Sequence, residues 1–325
     1  MVVGITIQKL NSWKPDRPAS RGAIAFHDAV VDASWLHDCV DQLIKYIDPK
    51  IKENDIVVDF GAGTGTSSVR ILKKFKNKIT LWLVDNSPAW LGKAYEYLHS
   101  RPNVNFFVLE KKNRHYSTLS ETVGKESVNQ VLSSNVVHLI PNLKDTFKGI
   151  FDSLKSKGSF MFNSGNIERK DKPKGALMLD STVYRVHDIA IDLIRKLPQF
   201  KEYRKGLDER VKAFLPQRKF IFPYPRDIKE YANALKVAGF KQVKIYYSCF
   251  KVKYSDYLGF LRVKRLQAGM LPEVGGTEPT PKEIQDRDEL ITKASFQLFG
   301  ELRDNNPLAD DKSWQCEWAY VVGIK

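Results

Sequence analysis

Hydrophobic positions recur at helical spacing from about Ala29 to Ile47, predicting a helix, and a short apolar run at 56–60 predicts the strand that follows. The alternation continues with a helix over 66–75, a strand over 80–84, a helix over Ala89–His99 and a strand over Val104–Leu109. A strand over Ser127–Leu132, a helix over Lys144–Leu154 and a strand over Ser159–Asn163 come next. Strands separated by helices imply an α/β fold whose parallel sheet is covered on both faces. In such sheets ligands bind beyond the carboxyl ends of the strands, and Gly61, Asp85, Glu110 and Ser133 all fall there.

The segment Val57-Val58-Asp59-Phe60-Gly61-Ala62-Gly63-Thr64-Gly65 runs from an apolar stretch through an acid into a glycine-rich turn ahead of a helix. Glycine allows positive φ and puts no Cβ between a ligand and the main chain. A dinucleotide fingerprint G-x-G-x-x-G needs its third glycine at position 66, which is Thr66. The order acidic-x-G-x-G-x-G, with Asp59 two positions before Gly61, resembles the first motif of class I S-adenosylmethionine-dependent methyltransferases. That resemblance implies a Rossmann-like, mostly parallel seven-stranded sheet and S-adenosyl-L-methionine as cofactor. It also implies cofactor contacts at Asp59, Gly61, Ala62 and Gly63.

Thr80-Leu81-Trp82-Leu83-Val84 ends at Asp85-Asn86, about twenty residues past the loop, where nucleotide-binding folds place the acid that holds a ribose. An ionised carboxylate accepts hydrogen bonds from vicinal hydroxyls if it is not buried and paired elsewhere. In the resembled family the residue closing the third strand often contacts the adenine amino group. The matching position is Glu110, where members more often carry Asp, and Lys111 and Lys112 stand beside it.

Val128 to Leu139 resembles the family's fourth strand and following turn: a small polar segment, including Ser133, precedes the apolar-apolar-His sequence Val136-Val137-His138. His138 is a candidate to orient the substrate or act as a base. Enzymes that methylate exocyclic amines of nucleic-acid bases resemble one another in an Asp/Asn-Pro-Pro-Tyr/Phe run here, and Ser133-Ser134-Asn135-Val136 is not that run. A small-molecule acceptor is therefore favoured, and nucleic acid, though not excluded, is not.

After the fifth strand the pattern leaves the sheet. Asp180 to Leu197 has helical periodicity, a Lys/Arg-rich stretch and Pro216 follow, and the sheet resumes with a helix to Val237, an Ala-Gly-Phe turn and a strand over Gln242–Tyr247. A final strand over Trp318–Ile324 completes it. Four regions result: an N-terminal arm and helix (1–49) that covers the active site, a cofactor-binding core (50–165), an inserted cap on the acceptor side (166–223), and completion of the sheet with a second helical excursion (224–325). The lysine-flanked aromatics of Phe250–Leu261 fit either a helix with a buried aromatic face or a surface for nucleobases or membrane.

The chain has 325 residues, 42% of them hydrophobic, enough for one large α/β core with insertions. No apolar stretch approaches the roughly 18 residues of a membrane span, and no charged-then-apolar leader opens the sequence, so a soluble, cytoplasmic protein is expected. Cys39, Cys249 and Cys316 have neither disulfide nor zinc spacing, and the six histidines form no H-x-x-x-H pair; the cysteines are expected to be buried thiols, and no metal site is supported. The net charge of +14 is uneven: residues 201–270 hold 17 Lys and Arg against 6 Asp and Glu, and residues 271–325 hold 6 against 11. Such a surface attracts anions, so the acceptor is expected to be anionic, carboxylated or phosphorylated, or amphipathic.

The implied chemistry is in-line attack of an acceptor atom on a sulfonium methyl. Positioning alone can contribute roughly 7–11 kcal/mol, and a carboxylate acceptor needs no base. A hydroxyl would benefit from one, and His27, Tyr184 and His187 join His138 as candidates by location. Two other readings keep the fold: an RNA or protein methyltransferase that docks through the basic cap, and a non-catalytic module that binds an adenosyl ligand. Oligomeric state is not legible.

Overall fold

The computed structural model describes residues 12–113 and 115–325. Two helices, α1 (Arg21–Val30) and α2 (Ser34–Ile47), precede the sheet; the single predicted helix breaks at residues 31–33. The core then runs β1 (Asp55–Phe60), α3 (Thr66–Phe75), β2 (Ile79–Asp85), α4 (Pro88–Leu98) and β3 (Val104–Val108). A small hairpin, β4 (Lys111–Lys112) and β5 (His115–Tyr116), leads to α5 (Leu119–Val123), β6 (Val128–Ser134), α6 (Leu143–Ser153) and β7 (Leu154–Ser164). Beyond it lie β8 (Ile167–Glu168), α7 (Leu179–Lys196), α8 (Leu207–Ile221), β9 (Arg226–Asp227) and α9 (Ile228–Ala238). The chain closes with β10 (Gln242–Lys253), α10 (Tyr254–Leu261), α11 (Lys264–Met270), α12 (Pro281–Asn305) and β11 (Ser313–Ile324).

The seven-stranded sheet has the order β10-β11-β7-β6-β1-β2-β3, and β11 alone runs antiparallel to its neighbours. This is the expected Rossmann-like architecture. Side chains alternate between its faces. Val57, Leu81, Leu132, Met161 and Tyr320 point into one core with α2 and α3, while Val58, Val84, Val131, Phe162 and Val321 point into the other with α6 and α9. Helix α2 contributes Trp35, Leu36, Cys39, Val40, Leu43, Ile44 and Ile47, a face at the i, i+4 spacing that fills the first core.

The last two strands exceed their predicted lengths. β11 pairs with β7 only over Ala319–Ile324, but with β10 over Ser313–Ile324, so the two strands project as a ribbon past the carboxyl ends of the parallel strands. Against this ribbon the two excursions merge into one helical layer, in which α7 packs on α12 and α8 on α11. Tyr257 is fully buried on α10, and Tyr254 stacks on Phe299 and Trp314. The Phe250–Leu261 aromatics thus serve packing. Cys39 and Cys316 are buried as expected, but Cys249 is exposed on the edge strand β10.

The helical layer has a charged centre. Arg218 and Glu273 are almost completely buried, the guanidinium bonds the carboxylate, and its Nε donates to the Met270 carbonyl at 3.0 Å. Burial alone would raise the Glu273 carboxyl, but the His187 bond and the Arg218 charge outweigh it and hold the pKa below the ordinary value. Removing one member strands the other charge out of water. Arg218→Met should therefore destabilise the protein by about 3–5 kcal/mol in urea unfolding, and adding Glu273→Leu should recover part of that loss. Additive losses would show that the pair is not coupled.

Candidate active site

Three strand ends build a cradle. Gly61 and Gly65 take φ of 76° and 81°, and a Cβ at either would lie 2.5 Å from Val136 or 2.6 Å from the Tyr97 hydroxyl. Only glycine fits at these two positions. The amides of Gly61 and Ala62 both donate to the Val84 carbonyl, at 2.8 and 3.1 Å, locking the turn to β2. Asp85 completes the lock: Oδ2 accepts the Gly63 N–H and Oδ1 the Ser87 N–H, each at 2.8 Å.

Asp59 sits beneath the loop, 1% exposed, with its Oδ2 accepting the Ser68 hydroxyl at 2.5 Å. It braces α3 against β1, so the expected direct contact from its side chain is corrected to a supporting role. Burial raises its carboxyl from 3.8 to about 6, and burial also raises Asp85. Asn86 and Glu110 are exposed at the ends of β2 and β3, and Glu110 makes no ion pair among the described residues. Ser133 alternates onto the face of Val131 and Phe162, where its hydroxyl is buried without a partner; its side chain does not reach the cradle.

The N-terminal helix lies on this cradle. His27 Nδ1 is 3.2 Å from Thr64 Oγ1, Phe26 packs on Trp90 with centroids 4.6 Å apart, and the Tyr97 hydroxyl donates to the Thr64 carbonyl. Burial and the Lys93 charge lower the His27 pKa. A Cβ at Gly63 would meet the Trp90 ring at 3.6 Å, an ordinary van der Waals contact, so Trp90 lines the middle of the loop.

A second group stands beside the first. Val136, which covers Gly61, is two residues from His138. His138 Nδ1 is 2.9 Å from Ser164 Oγ, and Nε2 is 3.4 Å from Asp180 Oδ2. Ser164 Oγ also accepts the Asn166 N–H at 2.9 Å, so the ring is held whichever nitrogen carries its proton. Arg226 braces the turn from outside: its Nη2 donates to the carbonyls of Val137, His138 and Ile140 at 3.2, 3.1 and 2.9 Å.

Of the other candidates, His187 is corrected. It lies seven residues along α7 from Asp180, about 10 Å at 1.5 Å per residue. Its Nε2 faces Glu273 at 3.4 Å, so it belongs to the buried ion cluster. Tyr184 shares that face of α7, but its hydroxyl is engaged by the Phe222 carbonyl, and burial pushes it up to about 12, which makes it a poor base. Asp180, Ser164 and Arg226 went unrecognised as a group, since each comes from a different region of the sequence.

Residues 51–211, about half the chain, match the family described as a methyltransferase domain. The chain belongs to the class I S-adenosylmethionine-dependent methyltransferases. Its cofactor is S-adenosylmethionine. The methyltransferase is 23% identical over 223 residues to a carboxy-S-adenosyl-L-methionine synthase of Nautilia profundicola, covering 66% of this chain and 79% of that protein. It is 42% identical over 57 residues to malonyl-[acyl-carrier protein] O-methyltransferase 1 of Ilyobacter polytropus, 18% of this chain and 21% of that one. Phosphoethanolamine N-methyltransferase 2 of Haemonchus contortus, solved with phosphomonomethylethanolamine and S-adenosylhomocysteine, shares the fold with a TM-score of 0.50 and 16% identity, over 94% of this chain and 57% of that chain. Asp85 is buried and paired with two amides, unlike the free carboxylate expected, although each oxygen keeps a lone pair beyond those bonds.

The buried Asp59 gives the methyltransferase a pH signature. A carboxyl whose pKa is higher in the folded chain than in the unfolded one favours folding while protonated. That contribution is complete below the ordinary 3.8 and is lost as pH rises through about 6. The loss is about 3 kcal/mol. Asp59→Asn should keep a partner for Ser68 and flatten the fall in melting temperature between acid and neutral pH. Superimposable profiles would assign that titration elsewhere.

Proposed function

We propose that this methyltransferase transfers the methyl group to a small, anionic or amphipathic acceptor held between His138 and the helical layer. The juxtaposition of the Gly61 loop with His138, through Val136, carries the reading. Asp85 would accept from the ribose hydroxyls, Asn86 and Glu110 would face the adenine, and Gly61 to Gly63 would pass the amino-acid end. The cofactor supplies an electrophilic methyl on a positively charged sulfur.

For an acceptor that carries a proton, His138 is the group that takes it. With Nδ1–H donated to Ser164, Nε2 would take the proton once it turns from Asp180, whose nearby charge then balances that of the imidazolium. A separation of 3.4 Å leaves that pair loose before an acceptor arrives. Helix α1, through His27 and Phe26, would close the cradle from above and keep water from the sulfonium. The positive surface of the chain would raise the local concentration of an anionic acceptor.

Calorimetry with S-adenosylmethionine and S-adenosylhomocysteine tests the cofactor half. Asp85→Ala should abolish binding that is micromolar in the unaltered protein, while His138→Ala should leave it intact. Transfer of labelled methyl to carboxylated, phosphorylated and phenolic compounds tests the other half. On a hydroxyl acceptor His138→Ala should lower kcat by roughly 10²–10⁴, with Asp180→Asn in the same direction. Full turnover in both variants would remove His138 from the mechanism.

A further inference from the structure

Exposed apolar side chains mostly stand singly on this protein, as on any other. Three do not. Phe220, on the last turn of α8, is 84% exposed; Tyr224 is 51% exposed; and Leu139, next to His138, is 49% exposed. Arg226 draws the last two together, since it lies two residues from Tyr224 and binds the carbonyls on either side of Leu139. Tyr224 in turn packs against Tyr184 with tilted rings, centroids 4.8 Å apart, and carries the Lys219 ammonium 4.5 Å over its ring.

The stretch that carries Phe220 and Tyr224 is basic, although Asp180 lies near Tyr184 and Asp227 follows Arg226. Residues 210–226 contain Arg210, Lys212, Arg218, Lys219 and Arg226 and no acidic residue. Arg218 is neutralised by Glu273, and Arg210 and Arg226 are spent on backbone carbonyls. Lys212 and Lys219 are exposed, and neither forms an ion pair among the described residues.

We infer that this face docks on an anionic lipid surface, with Phe220 and Tyr224 at headgroup depth and Lys212 and Lys219 against the lipid charge. Aromatic rings prefer that depth, and basic side chains beside it are drawn to anionic headgroups. Three apolar side chains are too few for a stable protein interface, which buries over 1,000 Å², but suffice for reversible adsorption assisted by charge. The patch borders the His138 turn, so docking would present the acceptor side of the site to the membrane. An amphipathic acceptor could then reach His138 with its polar end while its apolar end stays in lipid. That last step rests on the methyl-transfer reading; the docking itself does not.

Co-sedimentation of the whole protein with phosphatidylcholine vesicles, with and without phosphatidylglycerol, tests the docking without cofactor or acceptor. The protein should sediment only with the anionic vesicles and be released by salt. Lys212→Ala with Lys219→Ala should weaken partitioning roughly 25-fold, about fivefold for each charge. Phe220→Ser should weaken it as well, whereas Phe296→Ser, on an exposed ring of α12, should not. Thermal melting and cofactor calorimetry confirm that each variant is folded.

Four outcomes overturn the inference: no vesicle binding, equal binding to both vesicle types, equal loss in Phe296→Ser, or RNA binding that depends on the lysines while vesicles are ignored. Self-association that Phe220→Ser abolishes, without vesicle binding, would assign the face to a second copy. Vesicle binding in a protein that transfers no methyl group would leave the docking intact and sink only the proposed reaction.

Discussion

The carboxylate of Asp85 holds the site together. Its two oxygens take the amides of Gly63 and Ser87, so one side chain fastens the loop after β1 to the start of α4. Everything above the sheet is referred to that junction. The glycine turn is drawn onto β2, Asp59 and Ser68 brace it from below, and Val136 fills the space a side chain at Gly61 would need. Because Val136 and His138 share one turn, placing the cofactor loop also places the candidate base.

That base is held by parts from several regions of the chain. Ser164 ends β7, Asp180 opens α7, and Arg226 begins the return to the sheet. The contacts fix the orientation of the ring and of the turn that carries it. The charged centre of the helical layer does a different job: Arg218, Glu273 and His187 tie α7, α8 and the loop after α11 together, and their cost in desolvation is offset only while all of them are present. One face of α7 spans both groups, from Asp180 through Tyr184 to His187. That explains why His187, plausible by location, belongs to packing.

The two strand–loop segments of the candidate cofactor site were legible because they are local. Val57 to Gly65 and Thr80 to Asn86 are each a strand that runs directly into its functional loop, so spacing alone locates them, and the alternation of strands and helices supplies the sheet. Short-range patterns failed where the fold departs from them. The break at residues 31–33 was hidden by continuous helical periodicity, α8 was obscured by Pro216 in its interior, and the length of the β10–β11 ribbon was missed because its outer half pairs with no other strand. Ser133 shows the same limit at one residue: strand alternation turned its side chain away from the site that its backbone borders.

By itself the sequence determined the fold class, the glycine cradle and its acid, since these need only neighbouring residues in a fixed order. The tertiary structure alone decided which histidine stands beside the glycine loop, what orients it and what covers the loop. His138, Ser164, Asp180 and Arg226 meet only after two insertions fold back over the strand ends, and His27 reaches Thr64 only when α1 lies across the cradle. The physical reason is distance along the chain: a strand and its loop are shaped by bonds between near neighbours, whereas this candidate grouping is assembled by burial that no local pattern records.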